Sequence, residues 1–193
     1  TWQHPGDETS DGSFDKFADA LSISTSHLER YLSVSRQVTR LATGLPPESF
    51  DLVESTARKC EVISRLATAA QLPNATAIPA RAEDWAATDG ANAYDVVIAR
   101  ALSSLPVLAE YAAPLLQLNG SLVAWKGARD PDEEQPGTAA AHVLGLQPAP
   151  PIPVRPFKGS RERNLYVYTK IQPTPDRFPR RPGMATKRPL GQQ

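Results

Sequence analysis

Apolar and polar positions alternate between two periods along this chain. Residues 50–53, Phe-Asp-Leu-Val, read as a short buried strand. They are followed by an acid, Glu54, and by Ser55 or Thr56 as a helix cap. From there Ala57, Ile63, Leu66, Ala67 and Ala70 fall on one side of a helix over residues 57–71. Pro73-Asn74 makes a turn, and residues 75–79 a second short strand. Residues 94–99, YDVVIA, form the strongest strand pattern, an apolar β-branched run of the kind buried on both faces. A helix over 105–116 follows, with Pro106 in its first turn, where a missing N–H does no harm. Asn119-Gly120 reads as a turn and residues 121–126 as a further strand. Residues 130–134 form an acidic loop, Pro136-Gly137 interrupts the chain, and a helix follows at 138–144. The five prolines within residues 147–156 exclude a central strand there. Residues 164–170, NLYVYTK, alternate as an antiparallel edge strand does. Strands alternating with helices predict an α/β fold with a mostly parallel, doubly wound sheet.

The N-terminal part has a weaker pattern. Residues 1–13 are polar and read as loosely attached. Residues 21–24 are a candidate strand, and the capping box Ser26-His27-Leu28-Glu29 opens a candidate helix that Gly44 and Pro46-Pro47 end. The chain thus divides into an atypical segment 1–43, an α/β domain 44–171 and a basic extended tail 172–193.

In an open parallel sheet, ligands bind beyond the carboxyl ends of the strands. Three such ends, at Glu54, at Ala82-Glu83 and at Arg100, are therefore expected along one edge. A carboxylate in the position of Glu54 can accept both hydroxyls of a ribose. It can equally cap the following helix and favour its positive end.

Composition narrows the classes. With 193 residues, 40% of them hydrophobic, the chain suffices for one domain with a core. No apolar run approaches the roughly 18 residues of a membrane span, and no signal-peptide pattern stands at the start. The single cysteine, Cys60, excludes an internal disulfide and fits a helix core in a reducing, cytoplasmic setting. His4, His27 and His142 are scattered, so the sequence offers no metal-ligand spacing and no Ser-His-Asp arrangement. The zero net charge hides an asymmetry. Residues 155–193 carry ten Lys or Arg against two acids, a net +8 that the remainder balances with −8. A basic end on an acidic body is the footprint of a nucleic-acid partner or of a solvated tail.

Six segments carry a resemblance. They are DLVESTARKCEVI, ARAEDW, YDVVIARAL, LNGSLVAWKG, RERNLYVYTK and PTPDRFPRRPGMATKRPL, spread from about residue 50 to 190. Together they resemble the bacterial small-subunit ribosomal RNA methyltransferase G family, guanine-N7 methyltransferases also called glucose-inhibited division protein B. The resemblance implies a class I methyltransferase fold, with seven strands and the last antiparallel. It implies S-adenosyl-L-methionine as cofactor and small-subunit ribosomal RNA or the 30S particle as partner, with no membrane and no metal, on a monomer. Glu54 would take the ribose hydroxyls, Ala82 and Glu83 would lie by the adenine, and Arg100 would stand in the substrate-side crevice. Lys126 matches the family lysine-glycine; it and the tail residues Arg180, Arg181, Lys187 and Arg188 would face RNA. No catalytic acid or base is expected, because guanine N7 already has a free lone pair.

One family feature is absent. Members carry a glycine-rich loop of the type DxGSGxGxPG between their first strand and first helix. Residues 29–38, ERYLSVSRQV, hold no glycine. The alternative reading is therefore a degenerate relative that binds RNA but not the cofactor.

Overall fold

The computed structural model describes residues 49–69, 72–155 and 161–191. The candidate strand at 21–24, the helix after Ser26 and the whole segment 1–43 lie outside the described residues.

Among the described residues, seven strands and five helices follow in order: β1 (Phe50–Val53), α1 (Ala57–Ala69), β2 (Ala75–Ile78), α2 (Ala82–Ala86), β3 (Tyr94–Arg100), α3 (Leu105–Ala112), β4 (Leu116–Lys126), α4 (Pro131–Val143), β5 (Leu146–Pro148), β6 (Ile152–Val154), β7 (Arg163–Lys170) and α5 (Met184–Lys187). The sequence pattern thus located every strand from residue 50 onward except β5 and β6. Both of these lie in the proline-rich run. They are three residues each and pair only with β7, edge positions that tolerate a missing N–H.

Among the described residues the strands form two sheets. β1 pairs with β2 in parallel, and β3 pairs with β4 in parallel. β7 runs antiparallel to β4 and is flanked on its other side by β5 and β6. It is therefore an interior strand, with Asn164, Leu165, Tyr166, Tyr168 and Lys170 buried, and not the edge strand its alternation suggested. Tyr94 ties the two sheets. Its hydroxyl lies 2.5 Å from the Asp51 carboxylate and accepts the Trp85 indole N–H at 2.6 Å. Burial first, and then the Asp51 bond, push this hydroxyl up to about 12.

Two strands are less covered than their composition suggests. Leu52 in β1 and Ile98 in β3 are 39% and 37% exposed. Neither β1 nor β3 has a second strand partner among the described residues, so apolar side chains on both remain partly in water.

The main core lies on the other face of β3 and β4. α3 is buried almost all round: Leu105, Leu108, Ala109 and Ala112 pack with Leu122, Ala124, Leu144, Tyr166 and Tyr168. Two local readings are corrected here. Asn119-Gly120 is not a hairpin turn but an irregularity inside β4. Asn119 has φ 69°, and a Cβ on Gly120 would stand 2.8 Å from the Tyr94 carbonyl oxygen, so only glycine lets β3 and β4 approach there. Pro136-Gly137 does not break the chain either. α4 runs through both residues, Asp130 caps its start by accepting the Asp132 N–H at 3.1 Å, and Gly137 lets it close on Leu105 and Tyr168. Packing here overrides the local penalty of proline.

Lys170 shows how tightly the interior is satisfied. It is 1% exposed, and its ammonium donates to Asn92 Oδ1 at 2.7 Å, Ala113 O at 2.8 Å and Leu116 O at 2.6 Å. Burial lowers its pKa, but three acceptors occupy its three protons.

Candidate functional site

β1 delivers Glu54 just beyond its carboxyl end, where the chain turns into α1. Glu54 Oε1 accepts the Thr56 N–H at 2.8 Å and faces the Ser55 hydroxyl at 3.4 Å. The backbone N–H of Thr56 is the largest influence holding this carboxyl below its usual value, so Glu54 is an anion at neutral pH. Lys59 stands 3.8 Å from Oε2, too far for a short hydrogen bond. Glu54 thus caps the start of the following helix with one oxygen and has acceptor capacity left on the other. Cys60 sits below it in α1, buried, with its thiol 3.2 Å from the Glu54 carbonyl. This is the helix-core position expected of it.

β2 leads into α2, which begins at Ala82. The first N–H groups of a helix have no acceptor within it, so Ala82 and Glu83 present their backbone at this end. The Glu83 side chain is not available there. It is 6% exposed, and its Oε1 accepts the Gly183 N–H at 2.9 Å. Of the expected pair by the adenine, only backbone groups and the Ala82 methyl remain for a ligand.

β3 ends at Arg100, whose guanidinium carbon lies 5.8 Å from the centre of the Trp125 ring. Ala101 follows in the left-handed region, at φ 52°, and Leu102 is 64% exposed. β4 ends at Lys126, which does not reach out toward solvent as a phosphate contact would. Its ammonium donates to the Ser103 carbonyl at 3.0 Å and pairs with Glu133 Oε1 at 2.6 Å, with both side chains 20% exposed. Lys126, expected as a direct RNA group, is thus engaged within the chain by Ser103 and Glu133.

The tail also differs from the expectation. The expected extended tail 172–193 contains a short helix, α5, and the residues before it are docked and not free. Phe178 and Ala185 are buried, Thr174 Oγ1 donates to the Ala113 carbonyl at 2.9 Å, and Tyr111 and Thr186 hydroxyls meet at 3.1 Å. Arg180 forms a two-point ion pair with Glu110, which is 2% exposed, and also donates to the Arg188 carbonyl at 2.9 Å. Arg180 is thereby committed to Glu110 and the Arg188 carbonyl. Arg181, Lys187 and Arg188 are exposed. The partners Glu110 and Glu133 carried no sequence signal: Glu110 reads as one polar position in an apolar helix, and Glu133 as one acid in a row of three.

Residues 40–152 match the family model described as rRNA small subunit methyltransferase G. The chain belongs to that family. Its relatives agree. The ribosomal RNA small subunit methyltransferase G of Chloroflexus aggregans is 39% identical, over 78% of this chain and 63% of its own length. That of Rubrobacter xylanophilus is 37% identical over 76% of this chain and 58% of its own length, and that of Pelotomaculum thermopropionicum 40% identical over 75% and 61%. The chain thus spans about three fifths of the length of the curated relatives it matches. Residues 3–44 match a different model, PSD3, a protein of unknown function (DUF1587). Among solved structures, a mutant of MtNAS is similar with a TM-score of 0.56 at 10% identity, over 84% of this chain and 71% of that one. The same protein in complex with S-adenosylmethionine gives 0.54 at 11% identity, over 83% and 72%. These likenesses speak to fold. The methyltransferase G segments expected from the sequence fall on that α/β frame.

Proposed function

We propose that this chain is an S-adenosylmethionine-dependent methyltransferase acting on N7 of a guanine in small-subunit ribosomal RNA. The observation that carries this reading is the match of residues 40–152 to the methyltransferase G family, with Glu54 just beyond β1 and Ala82 opening the helix after β2 in one parallel pair, and Arg100 ending β3 in another.

The residues fit part of the cofactor. Glu54 is ionised and retains a carboxylate oxygen able to accept from a ribose hydroxyl. The start of α2 offers backbone N–H groups and a small side chain, suited to an adenine edge. When bound, S-adenosylmethionine would supply a methyl group already activated for transfer. The chain's own task is then positioning and an electrostatic setting, since N7 has no proton to remove. Arg100 stands where a cation beside Trp125 can hold an RNA phosphate or base edge. Arg181, Lys187 and Arg188 supply exposed positive charge on the docked tail. RNA binding without cofactor binding is the second reading, and the match to the methyltransferase family does not favour it.

Two measurements test these roles. Glu54→Ala weakens cofactor binding by about 1–3 kcal/mol, the cost of an unmade hydrogen bond to a charged group. Unchanged affinity in calorimetry removes Glu54 from the ribose. Replacing Arg181, Lys187 and Arg188 together by Ala lowers the slope of log affinity for ribosomal RNA against log salt by about 2–3 units, if each meets a phosphate. Adding Arg180→Ala to that set lowers it no further through phosphate contact, because Arg180 is held by Glu110. A slope unmoved by the triple replacement leaves the tail a structural strap alone.

A further inference from the structure

The turn between β3 and α3 is held from behind by a closed ring of polar contacts. Ser103 O accepts from Lys126 Nζ at 3.0 Å, Lys126 Nζ meets Glu133 Oε1 at 2.6 Å, and that same oxygen accepts the Leu105 N–H at 2.7 Å. The ring fastens the turn on both sides of Ser104, the residue that precedes α3. Its anchors are distant in sequence: Lys126 ends β4, and Glu133 lies in the first turn of α4. α4 is in turn fixed by its neighbour Glu134, which accepts the Tyr166 hydroxyl at 2.6 Å and pairs with Arg129 at 2.6 Å.

What the ring holds is not a relaxed turn. Ala101 has φ 52°, a region an L-residue with a Cβ enters only when its surroundings over-determine it. The next residue, Leu102, is 64% exposed, and the residue before, Arg100, is the strand-end arginine. A strained turn that sets an arginine and an apolar side chain outward, at the carboxyl end of a parallel strand, has the form of a ligand-facing edge. We propose that Lys126 and Glu133 are positioning residues: their clasp on Ser103 and Leu105 holds the 101–104 turn in the conformation that presents Arg100 and Leu102 to the RNA substrate. This rests on the methyltransferase reading above. Lys126 acts through the turn and does not itself touch RNA.

The mechanism is one of geometry. Methyl transfer to N7 requires the base in line with the donor, and a displacement of the order of 1 Å in a positioning element costs about 100-fold in rate. Removing Lys126 leaves Glu133 on the Leu105 N–H but frees the Ser103 carbonyl, so Ala101 can relax out of the left-handed region and carry Arg100 and Leu102 with it.

The test compares the full chain with Lys126→Met and Lys126→Arg, using under-methylated small subunits and millimolar S-adenosylmethionine. Four quantities are read: kcat and KM for transfer, amide exchange at residues 101–105, and the thermal midpoint. Lys126→Met lowers kcat about 10- to 100-fold, leaves KM for the cofactor within about threefold, and speeds amide exchange at 101–105. Lys126→Arg, which keeps a charged donor, restores kcat and amide exchange toward wild type. A Lys126→Met protein that exchanges faster but keeps wild-type kcat overturns the proposal, because the clasp then only stabilises. So does a loss of activity no larger than the fraction unfolded at the assay temperature, or exchange that does not change. A wild-type chain that transfers nothing removes the methyltransferase reading and this inference with it. Wild-type transfer matched by Lys126→Met removes the inference alone.

Discussion

Arg180→Met destabilises the fold by about 3–5 kcal/mol, the cost of leaving a buried charge without its partner. Glu110 is 2% exposed and offers both carboxylate oxygens to the Arg180 guanidinium, so the replacement leaves a buried carboxylate without its cation. The pair also carries the tail. Arg180 holds the Arg188 carbonyl, Glu83 holds the Gly183 N–H, and Phe178 and Ala185 fill the same side of the α3 region. Urea unfolding at neutral pH measures the loss directly. For a domain of this size each kcal/mol lowers the thermal midpoint by roughly 2–4 °C. The double variant Glu110→Leu/Arg180→Met recovers most of the loss, because replacing both partners by apolar groups removes the unpaired charge. A single-variant loss below about 1 kcal/mol would mean that the tail docks loosely, and that its basic residues serve RNA alone.

The second large effect is on the cofactor. The dissociation constant for S-adenosylmethionine is expected above roughly 100 µM, equivalent to less than about 5.5 kcal/mol of binding. Glycine-rich turns at nucleotide sites let the backbone approach the ligand closely and take φ values that side chains resist. Residues 29–38 have no glycine, and Gly44 is the single glycine between there and residue 89. Glu54 and the start of α2 can hold the ribose and adenine, but the methionine end of the cofactor lacks its usual cradle in these residues. Methyl transfer to under-methylated small subunits is therefore slow at modest cofactor concentration and recovers at millimolar cofactor. Calorimetry giving a low-micromolar dissociation constant, together with fast transfer, would show that residues without glycine build a working cradle.

The two effects differ in how they could be foreseen. The order of strands and helices from residue 50 onward was legible because period-2 and period-3.6 patterns depend on neighbours in sequence. So were Cys60 in a helix core and the positions of Glu54, Ala82 and Arg100 at strand ends, since each follows directly from where a strand stops. The family resemblance was legible for the same reason: its six segments are short, contiguous and specific.

What the sequence could not decide depends on partners far along the chain. Lys126 looked like an RNA contact until Glu133 and Ser103 were seen to hold it, and Arg180 until Glu110 was. A basic residue near a strand end or in a tail has the same local pattern whether it faces phosphate or a buried carboxylate. Only packing tells the two apart, because the desolvated acid opposite makes the ion pair and removes the cation from solvent. Glu83 was redirected in the same way by the Gly183 N–H, a hundred residues later in the chain. β7 passed for an edge strand because its alternation does not record that β5 and β6 cover its far side. Local periodicity determined which elements form; the long-range pairing of charges and strands decided which of their polar groups remain for a ligand.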